Sequence, residues 1–309
     1  MAALPKYPDA VFLRVKPGIV SAIAKTTALE VLSEPLSLLV FVAALFMEIL
    51  APAFHYHQFG EPTRMACDAG ISALFVFGIV FAVFPTIKTF RREVESGTLE
   101  MALAHPVSRG GFFVAKTAGA LIAYFVFAAI VFTTSLVTVA GADIGGRIAA
   151  KTGGVARLYG PCFAAALSVP LVSLVAGAAL NRFAGVRFVP AVFAIAAAIA
   201  AAVAFWFATP ALAARMSGAA VPVALSATVP LSAAAAFSVR FGSNASAAAC
   251  GLVVALMLPV FGNYVLSDAL LGGGRVPWSY VAVAMAATVP AVMFFLVLGT
   301  LFANRESQR

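Results

Sequence analysis

Apolar and polar positions in this chain do not alternate; they segregate into long apolar runs divided by short polar stretches. A run of about 20 residues wound as a helix is about 30 Å long, the thickness of a bilayer's hydrocarbon core. Eight such segments can be marked: Leu36–Ala53, Ala69–Ile87, Ala118–Ala140, Pro161–Leu180, Phe188–Ala208, Ala219–Phe237, Ala247–Leu266 and Trp278–Ala303. They predict an all-α polytopic transmembrane bundle of about eight spans, with six spans plus extra elements as the alternative count. The sixth segment is Ala-rich and carries Pro222 and Pro230, so it is read as a span, with a kinked or re-entrant element as the alternative.

Ahead of the first segment, Gly18 to Ser33 reads as an amphipathic helix, with Ile19, Ile23, Leu29 and Leu32 toward apolar surroundings and Lys25 and Glu30 toward water. Glu34-Pro35 ends it, because a residue before proline resists the helical conformation. It is expected to lie on the inner leaflet as an elbow helix, with a simple extension of the first span as the alternative. The predicted organisation is a cytoplasmic N-terminus with elbow helix at 1–35, a membrane domain at 36–303 containing a polar loop at 88–117, and a tail at 304–309. Lys6, Arg14, Lys16 and early prolines interrupt the N-terminal apolar residues, so a signal peptide is not expected.

Composition supports the membrane assignment: 63% of residues are hydrophobic, 10% are charged and the mean hydropathy is +1.04. Soluble domains carry about 25% charged residues. The net charge of +8 follows topology, since the basic residues sit in short loops without an aromatic-interleaved patch, and nucleic acid is excluded as a partner. With eight spans and the N-terminus inside, 14 of the 20 Lys and Arg fall on the inner side and six (Arg64, Arg147, Lys151, Arg157, Arg215 and Arg275) on the outer side. That bias predicts N-in and C-in. The cysteines Cys67, Cys162 and Cys250 have neither metal nor disulfide spacing and read as small packing residues.

A charged island, Arg91 to Arg109, reading RREVESGTLEMALAHPVSR, is set between long apolar segments. Gly97 should break a helix that begins around Lys88, and Thr98 then caps a second short helix with Glu100 in its first turn. Pro106 stops that helix, and Ser108 caps the next. A short helix between two hinges, with Leu99, Met101 and Leu103 on one side, suits a partner's groove.

At these residues the chain resembles the type-2 ABC-transporter permeases, whose loop after the second span reads E-x-x-x-G-T-L-E, then L-x-x-P-V-S-R, then a Gly-Lys near the third span. Glu93, Gly97, Thr98, Leu99, Glu100, Pro106, Val107, Ser108, Arg109 and Lys116 fall on that pattern, with Ala115 in place of the usual Gly. The likeness extends to the elbow and to the charged tail after the last span, although most relatives have six spans. It implies a permease, without enzymatic activity of its own, that forms a homodimer or a heterodimer with a similar permease and pairs with two ATPase subunits in a bacterial cytoplasmic membrane. The loop containing Glu93, Glu95 and Glu100 would then be the ATPase-coupling element. ATP and magnesium would belong to the partner, and no cofactor to this chain.

Gly110 to Thr117, GGFFVAKT, differs by one residue from a phosphate-binding loop, but it carries Phe112, Phe113 and Val114 and runs into a span, so nucleotide binding is not expected. Glu48 is the strongest ionisable candidate inside a span, placed either along a transport path or snorkelling to water or Arg64. His55 and His57 are read as interfacial residues in an aromatic stretch rather than metal ligands, and no metal site is expected. The apolar bundle is compatible with lipid-linked, hydrophobic-drug, peptide and metal-related cargo alike. An ion-coupled carrier or channel without an ATPase is the alternative class.

Overall fold

A computed structural model describes residues 17–53, 62–96, 108–153, 158–241, 243–256 and 277–305. Its helices are α1 (Pro17–Ser33), α2 (Pro35–Leu50), α3 (Pro62–Ser96), α4 (Arg109–Thr152), α5 (Gly160–Ala184), α6 (Phe188–Phe207), α7 (Pro210–Ser226), α8 (Thr228–Arg240), α9 (Asn244–Leu256) and α10 (Trp278–Arg305), with a 3-10 turn at Ala51–Ala53. No strand occurs among the described residues.

Each of the eight apolar segments contains helix in its described part, but they are not eight equivalent spans. Among the described residues six helices are long and apolar enough to cross a membrane, with α7 and α8 together forming one of them, Pro210–Arg240. The bent pair α1 and α2 raises the number to seven if it counts as one span. The seventh segment is described only as α9, up to Leu256; its remainder lies outside the described residues.

The break between α1 and α2 follows from the sequence. Glu34 is extended (φ −68°, ψ 132°), as the following proline requires, and Pro35 opens α2 where its missing N–H costs nothing. The axis turns by 65° there. Ser37 stitches the corner by donating its hydroxyl to the Val31 carbonyl at 2.6 Å.

The face by which α1 packs on the bundle coincides only in part with the apolar face expected for it. Leu32 is buried, but the packed stripe is Ala24, Thr27, Ala28 and Val31, while Leu29 is exposed and Ile19 and Ile23 are half-buried. That stripe meets α4 at Gly119, where an added Cβ would lie 2.4 Å from the Ala24 carbonyl oxygen and 2.7 Å from Thr27 Cβ. Close approach decides the face, because apolar surface gains little by leaving lipid for protein.

Small residues make the other tight contacts. A Cβ on Gly177 in α5 would lie 2.6 Å from Val192 Cγ2 in α6, and one on Gly141 in α4 would lie 2.7 Å from Cys162 Cβ in α5. The bundle centre is aromatic: Phe81 of α3 stacks on Phe127 of α4 at 4.5 Å, and Phe193 of α6 lies 4.6 Å from Phe41 of α2 and 6.1 Å from Phe81. Such pairs contribute about 0.5–1.5 kcal/mol each beyond burial.

The sixth predicted segment is the most enclosed span, with 72% of its apolar window buried, against 11% for α10. Its hydropathy is the lowest of the six because Ala233 to Ala236 face neighbouring helices, where small size matters more than lipid solubility. The kinked alternative describes its shape: α7 and α8 meet at Ala227, and Tyr124 of α4 donates its hydroxyl to the Ala224 carbonyl at 2.9 Å beside the break.

Candidate functional site

The helix carrying the first residues of the island does not begin near Lys88 as expected. It is one continuous helix, α3, from Pro62 to Ser96, because nothing between Ile87 and Lys88 breaks it and Pro85 is tolerated inside it. Its last described residue, Ser96, immediately precedes Gly97. On the far side Ser108 is extended and accepts a hydrogen bond from the Gly111 amide at 3.1 Å, capping α4. Ser108→Ala is expected to lower unfolding stability by about 1 kcal/mol, the usual value of such a cap, while Ser108→Asp leaves it near the parent; chemical denaturation in detergent checks both.

On either side of these ends, the stem of the island is tied to several elements at once. Lys88 forms an ion pair of 2.5 Å with Glu34 at the corner between α1 and α2, where the carboxylate is 8% exposed. Arg91 donates from Nη1 to the Phe241 carbonyl at 2.7 Å, at the C-terminus of α8, where a cation offsets the helix's negative end. Lys116 of α4 is 1% exposed and donates to the Thr89 carbonyl at 3.0 Å. Its Nζ also lies 5.0 Å from the Phe90 ring centre and 5.9 Å from that of Phe112. These ring faces partly replace the water that a buried ammonium gives up.

The C-terminal part of α10 closes the same end. Phe113 stands edge-on to Phe90 at 5.6 Å, and it crowds Gly299, where an added Cβ would lie 2.2 Å from the ring. A Cβ on Gly110 would touch Thr300 at 3.5 Å. The corner at Glu34, the end of α3, the start of α4 and the C-termini of α8 and α10 therefore share one end of the bundle.

The structure brings Lys116 and Ser108 to this end, together with Arg109 at the first position of α4. Glu93 and Glu95 belong to the last turns of α3. Gly97, Thr98, Leu99, Glu100, Pro106 and Val107, with the hinged short helix predicted there, lie outside the described residues, as do His55 and His57. Glu48 is not part of the cluster. It lies 14 residues beyond the corner, roughly 21 Å along α2, and is fully buried, with neither carboxylate oxygen hydrogen-bonded among the described residues. It therefore does not snorkel to water or bond to Arg64.

Glu34 and Arg91 acquire roles that the sequence did not indicate. Glu34 reads only as a helix stop, yet a carboxylate buried at a corner needs a cation. Gly110 to Thr117 is regular helix, with Lys116 turned onto Thr89 and the rings. It has none of the open loop amides that cradle phosphate.

The family model described as "ABC-2 family transporter protein" matches residues 33–201, 169 of the 309. The matched region begins at the α1–α2 corner, includes the whole island and runs into α6. Comparison with curated proteins and with solved structures found no match.

Proposed function

The chain belongs to the ABC-2 transporter family as a multi-pass membrane permease, and from that premise we propose that it exports its cargo as one half of a permease dimer driven by separate ATPase subunits. The island is the surface the ATPase engages, and the end of the bundle bearing it faces the cytoplasm, in an N-in and C-in arrangement. The observation that carries this reading is the set of ties made by Lys88, Arg91 and Lys116 at the stem, which give a push on the island a rigid route into α1, α2, α4 and α8.

Co-expression with the cognate ATPase tests the docking. The full-length chain is expected to co-purify with it, and Glu93→Lys or Glu100→Lys to reduce recovery of the ATPase severalfold. Full co-purification of both variants would overturn the docking role.

We place Glu48 along the transport path, since a carboxyl enclosed without a partner lowers stability and is retained where a cargo or a moving helix supplies one. Glu48→Leu is expected to stabilise the isolated permease by about 1–3 kcal/mol, the usual cost of a buried unsatisfied polar group. Thermal unfolding in detergent measures that gain. Transport by the reconstituted complex is expected to fall at least about tenfold for Glu48→Gln, an energy of about 1.4 kcal/mol at the barrier. Undiminished transport removes Glu48 from the path.

A further inference from the structure

At the end of the bundle opposite the island, the C-terminal turns of α4, the start of α3, the end of α6 and the start of α7 line an open cavity of about 470 Å³. One side is apolar, formed by Ile144, Phe207 and Leu212; the other carries Arg215, Arg147 and the hydroxyl of Thr209.

The charges are unequal. Arg147 is held by Asp143 one helical turn earlier, Nη2 to Oδ2 at 2.5 Å, so that pair is close to neutral. Arg215 is half-buried and stands beside the Cys67 thiol, with no carboxylate in ion-pair distance among the described residues. The cavity thus has one uncompensated guanidinium. A guanidinium presents a planar fork of N–H donors that matches oxyanions in particular. Thr209 adds a donor: its oxygen already accepts from the Leu212 amide at 3.3 Å, which leaves its own proton for another acceptor. Next to the cavity, Phe205 and Trp206 are 89% and 80% exposed, an aromatic pair of the kind found at the level of lipid head groups.

We propose that this cavity binds a phosphate-class oxyanion, gripped by Arg215 and Thr209, with the apolar wall accommodating the organic part of an amphiphile that carries it. The site is independent of the ATPase-docking role. The same chemistry is offered by the head group of an anionic phospholipid and by free phosphate.

Two measurements on the full-length chain in detergent separate these sources. Native mass spectrometry with equimolar phosphatidylglycerol and phosphatidylcholine reads lipid retention, and thermal unfolding with and without millimolar inorganic phosphate reads the soluble anion. Preferential retention of phosphatidylglycerol without a phosphate effect identifies the lipid head group. A rise in unfolding temperature with phosphate, and no lipid preference, identifies the free anion. In either case Arg215→Gln is expected to weaken binding about tenfold or more, as loss of a charge-assisted hydrogen bond does, and to remove one retained lipid where lipid is the ligand. Ala211→Phe fills the cavity from the exposed start of α7 without altering charge, and is expected to reduce binding likewise; it keeps the test open if Arg215→Gln does not purify. Equal retention of both lipids with no phosphate effect overturns the proposal, and so does binding unchanged in the purified variants.

Discussion

Gly119→Val is expected to cost about 3 kcal/mol or more, at the upper end of overpacking penalties, and to strip most of the protein from the folded membrane fraction. The reason is geometric. Even a methyl group at this position would lie 2.4 Å from the Ala24 carbonyl oxygen. That oxygen belongs to the backbone of a helix, so no rotamer change relieves the overlap; α1 has to move off α4. Gly119→Ala should therefore already be destabilising, by about 1–2 kcal/mol. Gly18 in the same interface helix is the control, since an added Cβ there meets nothing within 4 Å, and Gly18→Ala is expected to be neutral or slightly stabilising. Fluorescence-detected size exclusion of tagged variants reads the folded fraction. A Gly119→Val profile matching the parent would mean that α1 is not held against α4 in the folded protein.

Lys116→Met is expected to separate ATP hydrolysis from transport. The substitution keeps most of the side-chain volume but deletes the bond to the Thr89 carbonyl and the contacts over Phe90 and Phe112. A hydrogen bond from a charged donor contributes about 1.5–3 kcal/mol, but removing a buried ammonium also removes its desolvation cost. These effects oppose each other, so net stability should change by no more than about 2 kcal/mol. The functional effect is expected to be the more specific one. With this tie between α3 and α4 removed, and the ring contacts Phe81–Phe127 and Phe90–Phe113 left, motion of the island should pass less fully into α4. In proteoliposomes containing the cognate ATPase, hydrolysis should persist while transport drops about tenfold or more, about 1.4 kcal/mol of lost coupling. Hydrolysis and transport that decline in proportion would instead mark Lys116 as a purely structural residue.

The parts of this architecture that can be read from the sequence are those written in neighbouring residues. The corner at Glu34 and Pro35 is set by the steric demand of one proline, and the cap at Ser108 is a contact across three residues. Apolar runs reveal the helices because lipid imposes a length on them. Contacts between distant segments were hidden. Arg91 reaches a carbonyl 150 residues away, and the packed face of α1 is chosen by a glycine on another helix. Hydropathy also ranked the sixth span as the weakest, although it is the most enclosed, because that scale weighs solubility in lipid rather than fit among helices. At the candidate site the sequence identified Lys116 and Ser108 but not their company. The rings that receive the ammonium and the partners of Lys88 and Arg91 emerge only when the helices are assembled.

The break at Ala227 gives the span formed by α7 and α8 a fulcrum. Pro222 and Pro230 each withhold the amide that would bond the carbonyl four residues earlier, so bending here sacrifices fewer rungs than in an unbroken helix. Tyr124 holds the middle of the span through the Ala224 carbonyl, and Arg91 holds its far tip through Phe241. On the opposite arm Arg215 lies 11 residues from Ser226, roughly 16 Å along the axis. Rocking about the fulcrum by about 5° carries the Arg215 backbone through about 1.4 Å, enough to make or break a hydrogen bond whose working range spans only about 0.5 Å. One beam thus connects the two ends of the bundle, from the Arg91 tie at Phe241 to the cavity wall that carries Arg215.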